Sequence, residues 1–257
     1  MIEQTDKQFV EYNFNIFACN AYDTTEQKTK VKLLSSEVSD YTILPRPNAD
    51  KKEDPQRQGS TFTYGPYDKV SAGSIEHASL NFEFTKPLTH ATLLERDVEV
   101  SHWGGNLAVE ERYWLENRGA GLKNHFSRVD WVMTQYYNPS TSAIKDLKIP
   151  LRASTLSPYY VDDIGNVSTS RFSTSTRDAS LELRPRYPVF GGWRYNFKIG
   201  WNENLRNSLR KLKTGDGYVL QVPFLEGPKQ AEGIEYERVQ LRILLPEGAR
   251  YTSSYPS

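Results

Sequence analysis

Cysteine and histidine, the residues that most often carry metal or redox chemistry, are few and scattered in this sequence. Cys19 is the only cysteine, which excludes an internal disulfide and a zinc site made of several thiolates. The four histidines lack metal-ligand spacing; they are His77, His90, His102 and His125. Because a metal site needs several convergent groups, the sequence predicts neither a metal nor a cofactor.

Two acidic pairs are the remaining candidates for catalysis. Glu110 and Glu111 are neighbours in a predicted strand, so their side chains point to opposite faces and cannot form the acid and base pair of a glycosidase. Asp162 and Asp163 lack the spaced oxygen ligands of a calcium loop, which favours a turn. The sequence also lacks the Gly-x-Ser-x-Gly, His-Glu-x-x-His, phosphate-loop and dinucleotide motifs. A hydrolase using Glu110 or Asp163 is therefore the least favoured hypothesis.

Aromatic and arginine residues beside glycines are better candidates for recognition, because such side chains are enriched at interfaces. The candidate interaction surface consists of His102, Trp103, Arg186, Tyr187 and Trp193. The sequence leaves open whether the two tryptophans are exposed or belong to the core. Trp103, Trp193 and Tyr187 also motivate an alternative, a free-standing β-module that binds carbohydrate or peptide.

One triplet matches the acceptor pattern for N-linked glycosylation. Asn166-Val167-Ser168 has a permitted middle residue, whereas Asn138 is excluded because Pro139 follows it. The triplet is surrounded by glycine, serine and threonine, which is typical of an exposed loop. It matters only inside the secretory pathway.

Composition indicates a folded protein without a general affinity for polyanions. The 257 residues include 32 Lys+Arg and 32 Asp+Glu, so the formal net charge is +0 and no global field attracts nucleic acid. Aromatic residues make up 12%, too many for an intrinsically disordered chain. Uninterrupted apolar runs reach only four residues, at 16–19, whereas a membrane helix needs about 20. The polar start of the chain is unlike a secretory signal.

Alternation of apolar and polar residues dominates the chain and predicts strands with one buried face. Many short strands of this kind are typical of an all-β, β-sandwich-like domain with antiparallel pairing. The predicted strands lie at 10–16, 80–84, 107–115, 129–133, 193–201, 218–224 and 239–245.

A single segment follows helical spacing. Leu205, Leu209 and Leu212 fall at positions i, i+4 and i+7, and Asn204 is a suitable N-cap. The pattern predicts one short helix near 204–213.

Residues 48–59 combine mixed charge, proline and glycine without an apolar anchor. This composition predicts a solvated linker or long loop. The sequence before it offers about three strands, which is few for a separate core, so this stretch is either the tail of a domain truncated upstream or part of the main sheet.

Several uncommon short sequence segments, in their order and spacing, resemble those of the ribophorin I family, which is subunit 1 of the eukaryotic oligosaccharyltransferase. Their order and spacing make the resemblance far more specific than a single motif. They are VEVSHWG at 98–104 with LAVEE at 107–111, YGPY at 64–67, YY at 159–160 with DIGNVSTS at 163–170, LRPRYP at 183–188 with FGGW at 190–193, and LPEGA at 245–249.

The resemblance implies an origin in the endoplasmic reticulum. Family members are single-pass membrane proteins with a two-domain all-β luminal region, so this chain is expected to be a luminal fragment without the membrane helix. Residues 1–47 would be the C-terminal strands of a truncated first luminal domain, and residues 60–257 the second luminal β-domain.

The resemblance further implies a non-catalytic accessory subunit, because the transfer of glycan to asparagine belongs to another, metal-dependent subunit of the complex. Expected partners are the catalytic and other subunits, nascent polypeptides and the translocon, with no nucleic acid, and contact with the membrane only through the missing helix. The expected roles are assembly and presentation of substrate. Asn166 lies where the family carries an acceptor triplet, so it is expected to be glycosylated.

Overall fold

A computed structural model describes residues 1–44, 55–137 and 139–252, and it confirms the predicted all-β class. Within these residues the chain forms two compact units. The N-terminal unit comprises residues 2–86 and 126–142, and the C-terminal unit comprises residue 1, residues 87–125 and residues from 143 onward.

The N-terminal unit contains two three-stranded antiparallel sheets, in the orders β1-β6-β3 and β2-β5-β4. Their core includes Phe62, Tyr64 and Leu80, each with none of its surface exposed. Phe62 and Tyr64 alternate along β5, so both point to the same buried face. The elements of this unit are β1 Phe9–Asn15, β2 Thr24–Lys32, β3 Val38–Tyr41, β4 Gln56–Gln58, β5 Thr61–Val70, β6 His77–Glu83 and the helix α1 Arg128–Gln135.

The units divide the chain differently from the predicted domains 1–47 and 60–257. β5 and β6 pair with strands of the N-terminal unit, although the sequence prediction assigned them to the second domain. The first part of the predicted linker, 48–54, lies outside the described residues. Its last part contains β4, which pairs with β5, so this part is not a free loop.

The strand predicted at 129–133 is wrong, because these residues belong to α1. Ser127 caps this helix by accepting a hydrogen bond from the Asp130 backbone N–H at 3.3 Å. Asp130 also places a negative charge in the first turn, where the helix dipole favours it. Three alternating apolar residues were too short a pattern to exclude a helix.

The C-terminal unit is built on a six-stranded sheet in which β10, β13, β8 and β7 lie side by side and both β16 and β17 pair with β7. A three-stranded sheet, β11-β12-β9, contributes to the same core. β16 and β17 run parallel to β7, which departs from the predicted antiparallel pairing. The strands are β7 Thr89–Ser101, β8 Asn106–Asn117, β9 Leu147–Arg152, β10 Leu156–Asp162, β11 Arg171–Thr174, β12 Asp178–Leu183, β13 Arg194–Asn204, β14 Leu209–Lys211, β15 Tyr218–Leu220, β16 Glu235–Tyr236 and β17 Val239–Leu244.

Alternation along β8 explains the position of this core. Leu107, Val109, Tyr113 and Leu115 are buried on one face and pack with residues of the three-stranded sheet. Burying such a side chain contributes about 1.5–3 kcal/mol relative to leaving it exposed. The strands predicted at 10–16, 107–115, 193–201 and 239–245 correspond to β1, β8, β13 and β17.

The helix predicted at 204–213 is wrong in extent. Asn204 does accept a hydrogen bond from the Arg206 backbone N–H at 3.0 Å, but only a 3-10 turn over Leu205–Asn207 follows. The chain then enters β14, which pairs with β15, and this hairpin satisfies the backbone groups that a helix would have used. The strand predicted at 218–224 is correspondingly limited to β15, Tyr218–Leu220.

Candidate modification and interaction sites

The acceptor triplet lies in a tight loop that follows β10. Asn166 is exposed, whereas Val167 is only 3% exposed and belongs to the core of the C-terminal unit. The backbone N–H of Asp162 donates to the Gly165 carbonyl at 3.0 Å, and the N–H of Val167 donates to the Tyr160 carbonyl at 3.0 Å. The loop therefore presents the Asn166 side chain while its backbone stays paired with β10.

Arg186 fastens this loop from a distant part of the chain. Its Nε donates to Asp162 Oδ2 at 2.5 Å, and its Nη2 donates to the carbonyls of Gly165 and Asn166 at 3.2 and 2.9 Å. The other carboxylate oxygen, Asp162 Oδ1, accepts from the backbone N–H groups of Ile164 and Gly165, both at 3.0 Å. Burial alone would raise the pKa of Asp162, but these donors and the adjacent guanidinium lower it below its usual range.

Tyrosines complete the environment of Asp162. Tyr195 donates to Asp162 Oδ2 at 3.2 Å, and the hydroxyls of Tyr160 and Tyr195 lie 2.7 Å apart. Burial raises the pKa of both phenols far above neutrality, so they remain uncharged donors. Tyr187 packs edge-on against Trp193 and Tyr195, with ring centroids 5.9 and 5.6 Å apart. Arg186, Tyr187 and Trp193 are therefore brought together beside the acceptor loop.

His102 and Trp103 lie elsewhere, in the turn that joins β7 to β8. Trp103 is 92% exposed, and its ring centroid is 5.4 Å from that of His102. Trp193 is instead bonded to the opposite end of β8, where its carbonyl accepts from the Asn117 N–H at 3.1 Å. β8 spans about 37 Å between its ends at about 3.4 Å per residue. The five predicted interaction residues thus occupy two separate places on the C-terminal unit.

The acidic pair at 110–111 is divided between two faces of the sheet, as the sequence predicted. Glu111 is completely buried, whereas Glu110 lies on the solvent face. There Glu110 accepts from the Tyr159 hydroxyl at 2.5 Å and pairs with Lys198 at 3.3 Å. The two carboxylates cannot converge on one substrate.

A buried ionic network surrounds Glu111, and sequence reasoning missed it. Arg96, 1% exposed, donates from Nη1 to Glu111 and from Nη2 to Glu226 Oε2 at 2.7 Å. Tyr113 donates to Glu111 Oε2 at 2.6 Å, and the Arg96 guanidinium lies over the ring of Trp201. The available signal was a charged residue at a core-facing position in each of two adjacent alternating strands.

The exposed face of α1 was also missed. Val129, Val132 and Met133 lie in α1, and Tyr136 and Tyr137 follow its last residue directly; all five are 61–85% exposed, at the spacing i, i+3, i+4, i+7 and i+8. This spacing is that of one helix face. It was present in the sequence, but the alternation at 129–133 concealed it.

The remaining polar candidates make ordinary contacts. Asp163 accepts from Asn196 Nδ2 at 3.4 Å. His90 is buried, and its ring nitrogens lie 2.9 and 3.3 Å from carboxylate oxygens of Glu235 and Glu237. Across residues 1–44, 55–137 and 139–252, no group of three or more His, Cys, Asp or Glu could hold a metal ion.

Comparison with known proteins gives consistent matches. The chain is 30% identical over 253 residues to the dolichyl-diphosphooligosaccharide--protein glycosyltransferase subunit 1 of Schizosaccharomyces pombe, covering 96% of this chain and 54% of that protein. Its identity to the Caenorhabditis elegans subunit 1 is 33%, with 96% and 40% covered. Its identity to subunit 1B of Arabidopsis thaliana is 33%, with 98% and 52% covered. The chain thus spans about half the length of these relatives.

Within the part of the chain that the structure describes, no helix has the length and apolar character needed to cross a membrane. The family model described as Ribophorin I matches residues 1–257, so the match includes the acceptor loop, the hairpin turn with Trp103 and the strands that carry them. By this match over its full length and by its similarity to three subunit 1 proteins, the chain belongs to the Ribophorin I family.

Proposed function

We propose that this chain is a luminal, non-catalytic part of the oligosaccharyltransferase of the endoplasmic reticulum. The observation that carries the proposal is the family match over all 257 residues, together with relatives that are named as subunit 1 of that transferase. In this role the chain would help to assemble the complex and to present nascent polypeptide to its catalytic subunit, next to the translocon.

The contacts of the acidic residues support an accessory role. The carboxylates considered for hydrolysis are engaged in the fold, Glu110 with Tyr159 and Lys198, and Asp163 with Asn196. A general acid or base must come within hydrogen-bond reach of the substrate proton, whereas these contacts direct both carboxylates towards groups of the fold. Glu110 thus joins β8 to β10 and β13, and Asp163 is bonded to β13 from the loop after β10.

We propose the turn with His102 and Trp103 as the contact with a neighbouring subunit. Trp103 is the most exposed aromatic side chain among the described residues. A protruding tryptophan contributes strongly to binding when a partner pocket removes it from water. Arg186 is bonded to the acceptor loop, and Tyr187 packs against Trp193 and Tyr195 beside it, so we assign these predicted residues to the support of that loop.

Cross-linking tests membership of the complex. The chain, anchored on the luminal face by a neutral membrane helix, should give cross-links to the catalytic oligosaccharyltransferase subunit, identified by mass spectrometry. Trp103→Ala should reduce these cross-links, whereas Tyr251→Ala, at a residue 68% exposed, serves as the matched control and should not. If the wild-type chain instead binds free glycans or peptides and gives no such cross-links, the alternative of a free-standing binding module is the better one.

We further propose that Asn166 is glycosylated when the chain is made in the secretory pathway. Its side chain is exposed and so is that of Ser168, the two groups that the acceptor pattern requires. Treatment with an endoglycosidase should lower the intact mass of the secreted chain, and Asn166→Gln should abolish the change. An unchanged mass for the wild-type chain would contradict the proposal.

A further inference from the structure

The folded chain exposes the two ends of the acceptor triplet and buries its middle. Asn166 and Ser168 are exposed, but the Val167 side chain lies among core residues with 3% of its surface accessible. An enzyme that reads an asparagine and a hydroxyl two residues later must orient both side chains and the backbone between them. The triplet therefore cannot keep Val167 in the core and at the same time be oriented in the active site of the transferase.

The backbone of the triplet is also occupied. The Asn166 carbonyl accepts from Arg186 Nη2 at 2.9 Å, and the Val167 N–H donates to the Tyr160 carbonyl at 3.0 Å. Asp162, which is itself bonded to Arg186, holds the other side of the loop. Binding of the triplet in another protein's active site would break the hydrogen bonds of the Asn166 carbonyl and the Val167 N–H and would remove Val167 from the core.

We propose that folding makes the acceptor triplet 166–168 inaccessible to the transferase, so that glycan is transferred to Asn166 only before Val167 is buried and the loop is bonded to Arg186. We call Arg186 the latch, because its hydrogen bonds hold the loop in this closed position. The inference rests on the proposed modification of Asn166. In that transfer the Asn166 amide nitrogen bonds to the anomeric carbon of a lipid-diphosphate-linked oligosaccharide. The carbon–oxygen bond to the diphosphate breaks, the diphosphate leaves with the electron pair, and one amide proton passes to a base of the transferase.

The order of synthesis provides an interval in which the triplet is open. Arg186 lies 20 residues after Asn166, and β13, the pairing partner of β10, begins only at Arg194. Synthesis of about 20 to 40 residues takes roughly 1 to 8 s at about 5–20 residues per second. Until that sequence has emerged, neither the latch nor the neighbouring strand exists to hold the loop.

The test compares Asn166 as an acceptor before and after folding. In one arm, the chain with a signal sequence is translated in the presence of membranes derived from the endoplasmic reticulum. In the other, the folded, unglycosylated chain purified from bacteria is incubated with purified oligosaccharyltransferase and its lipid-linked donor. Tyr251→Asn supplies an internal control in both arms, because it creates a second triplet with Thr252 and Ser253, where Tyr251 is 68% exposed. A synthetic peptide of residues 163–170 gives the reactivity of the free triplet.

We expect occupancy of Asn166 during translation, and occupancy in the folded chain at least tenfold below that of the Tyr251→Asn triplet. Equal occupancy of the two triplets in the folded chain would overturn the inference. If Asn166 is unmodified in both arms while the Tyr251→Asn triplet and the peptide react, the modification itself is wrong, which is a different result from loss of the latch.

Replacing Arg186 should make Asn166 accessible to glycan transfer in the folded chain. Arg186→Ala deletes three hydrogen bonds from a charged donor. Because two of them are exposed to solvent, we take their combined effect on the closed loop as roughly tenfold or more. Folded Arg186→Ala should therefore accept glycan at least tenfold faster than the folded wild-type chain. Val167→Ala, which keeps the acceptor pattern and removes the buried side chain, should act in the same direction if Arg186→Ala does not fold. A folded Arg186→Ala variant that remains as inert as wild type would contradict the role of Arg186, and a folded Val167→Ala variant that remains inert would contradict the role of Val167 burial.

Discussion

Replacing Arg96 by leucine should destabilise the C-terminal unit because the change leaves the Glu111 carboxylate buried without its cation. Glu111 has no exposed surface, and its bonds are to Arg96 and to the Tyr113 hydroxyl, 2.6 Å away. Glu226, the second carboxylate bonded to Arg96, keeps 13% of its side chain exposed and can turn to water. Most of the free-energy cost of the substitution therefore comes from leaving Glu111 buried without a cation.

Breaking a buried ion pair by removing one partner costs about 3–5 kcal/mol. Since domains are stabilised by about 5–15 kcal/mol in total, Arg96→Leu should remove a large part of the stability of this unit. With a slope of about 2 kcal/mol per M, the urea midpoint should fall by about 1.5–2.5 M. The double variant Arg96→Leu/Glu111→Leu should recover most of the loss, because well-packed apolar residues replace buried ion pairs at little cost.

The loss should depend on pH. Burial raises the pKa of Glu111, and Arg96 and Tyr113 oppose that rise in the wild-type chain. Without Arg96 the pKa of Glu111 rises further in the folded state, so the native chain retains a proton that the unfolded chain releases above about pH 4.3. Stability then falls as pH increases. Arg96→Leu should therefore be closer to the wild-type chain at pH 5 than at pH 8.

Urea unfolding followed by tryptophan fluorescence measures this effect, since four of the five tryptophans belong to the C-terminal unit. The matched control is Arg242→Leu, which breaks the exposed pair of Arg242 with Asp97 at 2.6 and 2.7 Å. An exposed pair contributes about 0–1 kcal/mol. The reasoning fails if Arg96→Leu costs no more than this control, or if its cost is larger at pH 5 than at pH 8.

Two further substitutions test other contacts of the same unit. Gly200→Ala should lower the free energy of unfolding by about 1–3 kcal/mol, because the new Cβ would lie 2.4 Å from the Tyr159 ring. Gly104→Ala is the control, since the nearest atom to its new Cβ would be 3.7 Å away. Equal urea midpoints for the two variants would contradict the predicted clash. Asp162→Asn should remove an acid-sensitive part of the stability, because the pKa of Asp162 is lowered by Arg186 and the nearby backbone N–H groups. That stability is fully present above the ordinary carboxyl pKa of about 3.9 and is lost as pH falls through the lower folded pKa. Parallel unfolding curves from pH 6 to pH 2.5 should therefore converge at the acid end, and curves that stay equally separated would refute the assignment.

Local pattern was sufficient where several alternating residues share one buried face. The five core-facing residues of β8 predicted that strand and its orientation, and the same pattern placed Glu110 and Glu111 on opposite faces. Shorter patterns failed. Three alternating apolar residues at 129–133 fit either a strand or a helix, and the cap at Ser127 decided for the helix. The leucines from 205 to 212 fit a helix, but pairing between β14 and β15 decided for a hairpin.

The composition of the ionic network and the exposure of the candidate tryptophans depend on contacts between residues that are distant along the chain. Alternation along β7 and β8 indicates that Arg96 and Glu111 face the core, but Glu226 lies 130 residues from Arg96, so no local pattern indicates the network that joins all three. The exposure of Trp103 and the partial burial of Trp193 were equally open, because both are tryptophans beside glycine and differ only in what the sheet brings near them.

The sequence by itself determined the all-β class, the family and the acceptor triplet, because each depends on residues that are close along the chain or on their order. Only the tertiary structure decided that Val167 is buried and that Arg186, 20 residues after Asn166, holds the carbonyl of that asparagine. Burial and long-range hydrogen bonds depend on which strands become neighbours, and that choice is made by the packing of the whole unit.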